Sequence, residues 1–138
     1  MNHKGTKSTK ESRSLANYRS RQVIGAAIEV HRILGPGLLE SVYEEAMHVE
    51  LMTRCIPCRR QVGVPVVYKG LRLDAALKLD LLVDEVLVVE LKATRTLLPI
   101  HDAQLLTYLR LTGIWLGLIF NFNAVSMRDG IRRLVSDE

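Results

Sequence analysis

Residues 77–92 read LKLDLLVDEVLVVELK, and this stretch decides how the rest of the chain is interpreted. Two apolar runs rich in Val and Leu flank a polar step at residues 84–85, a pattern typical of a buried β-hairpin. Asp80, Glu90 and Lys92 interrupt this apolar hairpin. Burying a charged side chain is costly unless it is paired or binds a metal ion, so these three residues predict a functional site.

The geometry of the hairpin makes this hypothesis testable. Side chains alternate across a strand, so Glu90 and Lys92 lie on one face. A three-residue loop formed by residues 84–86 sets Asp80 directly opposite Glu90, whereas a two-residue loop moves Asp80 to the other face. The site therefore predicts a three-residue loop.

The composition of the chain indicates one globular domain over residues 20–138. Its 138 residues are 48% hydrophobic, and no apolar run approaches the roughly 20 residues of a membrane span. Residues 1–19 are polar and contain no apolar segment, so we expect a disordered basic tail and a cytoplasmic location. Cys55 and Cys58 form a single CxxC, which we interpret as two ordinary thiols.

The net charge of +4 is concentrated at the N-terminus of the chain. Residues 1–21 hold six Lys or Arg and one Glu, while the remainder holds 13 basic and 14 acidic residues. A flexible basic tail adds phosphate attraction that is independent of sequence. The nearly neutral body by itself attracts a phosphate backbone only weakly.

Apolar periodicity and turn residues predict the element order α-α-β-β-β-α-β-β. We expect helices over residues 22–34, 38–54 and 98–113 and strands over residues 60–68, 71–83, 86–93, 114–122 and 131–135. Residues 114–122 are almost continuously apolar, which favours a strand covered on both faces and parallel to its neighbour. The fold class is therefore α/β (α+β), a mixed central sheet flanked by helices.

The helices carry apolar stripes and a few polar candidates. The stripes predict buried faces formed by Leu39, Val42, Ala46 and Val49 on the second helix and by Ile100, Ala103 and Leu106 on the third. His101, Gln104 and Tyr108 form a polar stripe on the third helix, either part of a site or an exposed flank. Glu40 lies in the first turn of the second helix, where the helix dipole alone explains a carboxylate.

An Asp, a Glu and a Lys in the spacing D-x9-E-x-K suit metal-assisted hydrolysis of a phosphodiester. Two carboxylates bind Mg²⁺, a hard ion that prefers oxygen ligands. The metal lowers the pKa of a bound water and offsets the negative charge of the transition state. A lysine two residues from the Glu reaches the same water or a phosphate oxygen.

The ordered motifs D-x9-E-L-K and Q-x-x-x-Y resemble the PD-(D/E)XK nuclease superfamily, in particular its RecB-like branch. They comprise Asp80, Glu90, Leu91, Lys92, Gln104 and Tyr108. The segment GLLESVY, which begins at Gly37, is in addition similar to the signature of the GxxExxY protein family, assigned to that superfamily. The resemblance covers residues 20–136 and implies a restriction-endonuclease-like core. The residue before Asp80 is Leu79, where the superfamily's name has Pro.

The resemblance also implies roles for the site residues. Asp80, Glu90 and the Leu91 carbonyl are expected to bind Mg²⁺ or Mn²⁺, with Glu40 as a further acidic ligand or a residue that positions water. Lys92 is expected to activate the water or to stabilise charge. Two residues of the third helix are expected to brace that lysine or a substrate phosphate; they are Gln104 and Tyr108.

The implied function is a nuclease with a nucleic-acid partner, DNA favoured over RNA, and no membrane partner. Its small size is compatible with a homodimer, although the sequence shows no clear interface patch. Two alternatives stay open. One is a nuclease-fold domain that binds nucleic acid or a protein without cutting, which small size and the nearly neutral body favour. The other is that Asp80, Glu90 and Lys92 form a purely structural ion-pair cluster.

Overall fold

The computed structural model describes residues 5–74 and 77–137, and within them the chain forms three α-helices, one short 3-10 helix at Met127–Gly130 and seven strands. The helices α1 to α3 are Gly5–Leu34, Glu40–Thr53 and Pro99–Thr112. The strands β1 to β7 are Cys58–Val64, Val67–Tyr68, Leu71–Arg72, Leu77–Val83, Leu87–Lys92, Leu116–Asn121 and Ile131–Val135. In this part of the chain no helix combines the length and the apolar character needed to cross a membrane.

Five strands form one mixed sheet in the order β1-β4-β5-β6-β7. β5 and β6 are parallel and are joined through α3, whereas the other neighbouring pairs are antiparallel. The side chains of α1 and α2 pack on one face of the sheet and those of α3 on the other. The predicted α/β class is thereby confirmed, as is the parallel pairing of the apolar strand β6.

The strands predicted over residues 60–68 and 71–83 are each divided in two. β1 and β4 belong to the main sheet, while β2 and β3 form a separate two-stranded sheet. Pro65 lies at the first break, where its missing amide hydrogen cannot continue the ladder. Lys69 and Gly70, both with left-handed φ, form the turn between β2 and β3.

The N-terminal segment differs from the expected disordered tail over residues 1–19. α1 begins at Gly5, and the four residues before it lie outside the described part of the chain. Ala16 is buried in the core, and Arg19 Nε donates to Asp84 Oδ2 at 2.9 Å. Tertiary contacts of this kind stabilise a helix whose polar sequence does not reveal it.

The predicted buried faces of α2 and α3 are wrong. The side chains that these helices bury are Tyr43, Met47 and Leu51 on α2 and Leu105 and Leu109 on α3. Five of the seven predicted core residues lie exposed instead, and the other two, Ala46 and Leu106, are only partly buried. The exposed ones are Leu39, Val42, Val49, Ile100 and Ala103. Each helix carries two apolar stripes, and periodicity does not determine which of them meets the sheet.

Candidate active site

β4 and β5 form the hairpin that the sequence predicts. The last pair before the turn joins Val83 to Leu87, so residues 84–86 form the loop. The three-residue loop is therefore confirmed. The pairs run from Val83 with Leu87 to Leu81 with Val89, and one further step of this register sets Asp80 opposite Glu90.

Beside Asp80, the side chains of β4 change the face of the sheet on which they pack. Leu81 packs in the core under α1 and α2, whereas Leu79, two residues earlier on the same strand, packs in the core under α3. Gln61, which the register places opposite Asp80, has a left-handed φ of 48°. A non-glycine residue rarely adopts this conformation inside a strand. The regular pairing of the strands is interrupted at this point.

Side-chain carboxylates accept the backbone hydrogen bonds at this interruption. The Asp80 amide donates to Glu90 Oε2 at 3.2 Å, and the Leu91 amide donates to Asp80 Oδ2 at 2.8 Å. The Leu91 carbonyl faces the same strand edge as its amide, because both groups of a strand residue point to one side. The structure thus brings together the three hairpin groups that the sequence proposes as metal ligands.

The environment of both carboxylates disfavours negative charge. Glu90 is only 5% exposed, and burial, followed by repulsion from Asp80, raises its pKa to about 8. Burial also raises the pKa of Asp80, and the nearby carboxylates of Glu44 and Glu40 add to the effect. The protein therefore supplies too little positive charge to stabilise both ionised carboxylates. A divalent cation would supply that charge.

Glu40 approaches this site from the start of α2. Its Oε2 accepts a hydrogen bond from the Ala93 amide, just after β5, at 3.3 Å. The buried Tyr43 hydroxyl donates to the Gly35 carbonyl and accepts from the Leu38 amide, so it fixes the loop that leads into α2. Tyr43 therefore positions Glu40 and does not itself reach the site.

Glu44 and Gln61 also belong to the site. Glu44 lies one turn after Glu40 on the same side of its helix, where the sequence predicts a small acidic cluster, whereas Gln61 was not predicted. Gln61 Nε2 donates to Glu44 Oε1 at 2.6 Å and to Asp80 Oδ1 at 3.4 Å. Arg60 Nε donates a hydrogen bond to the other carboxylate oxygen, Glu44 Oε2, at 3.1 Å. In the sequence Gln61 looks like an ordinary polar position of an edge strand. In the structure Gln61 is distinguished by its left-handed backbone conformation, which no sequence pattern predicts.

α3 supplies the opposite side of the site. Lys92 Nζ donates to Gln104 Oε1 at 3.4 Å. Burial, followed by the two site carboxylates, raises the pKa of Tyr108, so its hydroxyl stays a donor at neutral pH. The third residue of the polar stripe, His101, instead accepts the Leu98 amide at 3.0 Å and caps its own helix. The structure therefore brings two of the three stripe residues to the site.

A family model described as the PD-(D/E)XK nuclease superfamily matches residues 17–134. The chain belongs to this superfamily. The match includes the complete β4–β5 hairpin, α2 and α3, and therefore every residue of the candidate site. No curated protein and no solved structure gives a significant match.

The PD-(D/E)XK site offers an oxygen-rich donor set but not a closed metal cage. Across residues 5–74 and 77–137, no three His, Cys, Asp or Glu side chains converge on one point. In this conformation Asp80, Glu90 and Glu40 each accept a backbone amide. Carboxylate and carbonyl oxygens suit Mg²⁺ or Mn²⁺.

The two cysteines lie in and beside β1, on the connection from α2. Both are free thiols, and Cys55 is exposed. Burial raises the pKa of the Cys58 thiol to about 11, which disfavours the thiolate that metal binding and redox chemistry require. The candidate site of this PD-(D/E)XK protein therefore consists of oxygen and amine groups.

Proposed function

We propose that the protein is a Mg²⁺- or Mn²⁺-dependent nuclease that hydrolyses phosphodiester bonds, with DNA as the favoured substrate. The observation that carries this proposal is the placement of two under-compensated carboxylates, Asp80 and Glu90, beside each other and next to Lys92. Membership of the PD-(D/E)XK superfamily supports it. Because the motifs of α2 and α3 resemble those of the GxxExxY family and of the RecB-like branch, the proposal includes this narrower assignment.

The metal ligands in this proposal are Asp80, Glu90 and the Leu91 carbonyl, with Glu40 as a further acidic ligand or a residue that positions water. When bound, the metal supplies a water of lowered pKa and a positive charge against the phosphate. A bound cation would offset the electrostatic repulsion between the carboxylates of Asp80 and Glu90. Gln61 orients Asp80 through its amide.

The remaining residues act on the phosphate and on Lys92. Lys92 presents its ammonium group on the strand face that carries Glu90, where it stabilises negative charge that develops on phosphate oxygens. Gln104 accepts a hydrogen bond from Lys92 and orients it. Tyr108 remains a hydroxyl donor to a phosphate oxygen.

A cleavage assay with matched variants tests the proposal. The substrates are linear, circular and single-stranded DNA and RNA, each incubated with Mg²⁺, Mn²⁺ or EDTA. We expect metal-dependent cleavage of DNA that falls by about 100-fold or more in Glu90→Gln and Lys92→Ala, because each removes a group that acts on the transition state. Glu45→Gln and Arg110→Ala remove one charge of each sign at exposed positions and should retain full activity.

Two other results would argue against a nuclease that uses this site. Cleavage that survives both Glu90→Gln and Lys92→Ala contradicts the assignment of this site. Saturable nucleic-acid binding without cleavage under either metal supports the alternative, a nuclease-fold domain that binds but does not cut.

A further inference from the structure

β2 and β3 form a separate hairpin, here called the outer hairpin, at the edge of the molecule that carries the candidate site. It joins the ends of β1 and β4, whose last pair is Val64 with Leu77. Leu77 precedes Asp80 by three residues on β4, which corresponds to about 10 Å along an extended strand. The base of the outer hairpin therefore lies on the same strand as Asp80, about 10 Å from it.

The outer hairpin exposes a cluster of large apolar side chains. Val67 and Tyr68 are each 61% exposed, and Leu71 is 70% exposed. An isolated two-stranded hairpin is at best marginally stable in water. These apolar side chains therefore do not form a core within the hairpin itself. Clustered exposed apolar side chains mark a binding surface.

Unpaired positive charge accompanies this apolar surface. Residues 65–78 hold Lys69, Arg72 and Lys78 and a single acidic residue, Asp74. Among the residues that the structure describes, none of the three cations forms an ion pair with a carboxylate. The neighbouring arginines of β1 are in contrast both paired with glutamates. The outer hairpin is therefore a locally basic element on a nearly neutral body.

We propose that the outer hairpin is the substrate-binding element of the protein and contacts a nucleic-acid strand that leads into the candidate site. This inference rests on the proposed nuclease function. Lys69 and Arg72 bind backbone phosphates, and Tyr68 and Leu71 contact bases and sugars. Nucleic-acid sites that lack sequence preference combine these same two components, cations along the backbone and aromatic side chains against the bases.

The charge of the outer hairpin favours a polyanion over a protein partner. Lys69 Nζ lies over one face of the Tyr68 ring, 5.5 Å from its centroid, so a cation and an aromatic side chain form one surface here. A hydrophobic protein interface in contrast is depleted in charge at its centre.

A binding assay without cleavage tests this inference. Fluorescence anisotropy of a labelled DNA oligonucleotide is measured in EDTA at several salt concentrations, so that binding is separated from chemistry. The variants are Lys69→Ala/Arg72→Ala and Tyr68→Ala, and the charge-matched control is Arg110→Ala/Arg133→Ala, at exposed positions of α3 and β7. Thermal unfolding verifies that each variant folds.

We expect the double variant to weaken binding about 10-fold and to reduce the slope of log Kd against log salt by about 1.4 for a single strand, because two phosphate contacts are lost. Tyr68→Ala should weaken binding by about 5-fold or more at unchanged slope, since stacking does not depend on salt. The control should bind like the wild type. In the cleavage assay the outer-hairpin variants should raise KM and leave kcat and Mn²⁺ affinity unchanged.

Three results overturn the inference. They are wild-type affinity and slope in both outer-hairpin variants, an equal loss in the charge-matched control, and a change of oligomeric state in light scattering that accounts for the loss. The last result would identify the outer hairpin as a contact between copies of the chain. If the wild type binds DNA but cuts no substrate, the nuclease proposal fails, and the comparison of binding still decides the role of the outer hairpin.

Discussion

Replacing Glu90 by Gln should make the metal-free protein more stable at alkaline pH and should change its response to pH. Gln has nearly the same shape and keeps an oxygen that accepts the Asp80 amide, but it carries no charge. The pKa of Glu90 rises from 4.5 to about 8 on folding, chiefly because the side chain is buried. The folded protein therefore holds this proton over a pH range in which the unfolded chain has lost it.

The sign and the size of the effect follow from this difference in bound protons. Stability from protonated Glu90 is complete below pH 4.5 and is lost as the pH rises through about 8. Between pH 5.5 and pH 8.5 the loss amounts to about 3 kcal/mol in the free energy of unfolding. Glu90→Gln lacks this proton, so the variant should gain about 3 kcal/mol relative to the wild type over the same interval.

Urea denaturation in EDTA at both pH values measures this double difference, in which the titration of groups common to both proteins cancels. Glu45→Gln is the control, since this exposed carboxylate on α2 is solvated in both states. Its difference from the wild type should not change with pH. If the difference between Glu90→Gln and the wild type is also constant within about 1 kcal/mol, the buried, charge-disfavouring site described for Glu90 is wrong.

Three further predictions concern the groups around this pair. Saturating Mn²⁺ at pH 8 should stabilise the wild type, by about 3 kcal/mol at 100 times Kd, but not Asp80→Asn; thermal shift measures both, and equal shifts would contradict Asp80 as a ligand. Gln61→Gly should be about 1 kcal/mol more stable than Gln61→Ala, because only glycine adopts a left-handed φ without strain. Both variants should cleave more slowly, and equal stability in urea would refute the strain at Gln61. Tyr43→Phe should cost about 1 to 3 kcal/mol, because the Gly35 carbonyl and the Leu38 amide lose their partner; a stability equal to the wild type would show that the hydroxyl does not hold this loop.

The hairpin of the site was predictable from the sequence, because the length of its loop decides whether its charged residues share one face. Only a three-residue loop sets Asp80 opposite Glu90, and the structure has this register. The limits of α3 were also predictable, because Pro99 and the left-handed Gly113 mark its two ends.

The rest depended on tertiary contacts that local patterns do not encode. The early turns of α1 are polar and are held by contacts such as the one between Arg19 and Asp84, 65 residues apart. The buried face of α2 was predicted wrongly, because either of its two apolar stripes fits a helix. Gln61 was missed because a left-handed glutamine has no sequence signature, although it links Glu44 to Asp80.

The most direct test of the metal site is an anomalous difference map from crystals grown with Mn²⁺. We predict a peak between the carboxylates of Asp80 and Glu90 and within coordination distance of the Leu91 carbonyl, lost in crystals of Asp80→Asn. A map from wild-type crystals at saturating Mn²⁺ with no peak at these residues would contradict the proposed metal-dependent site.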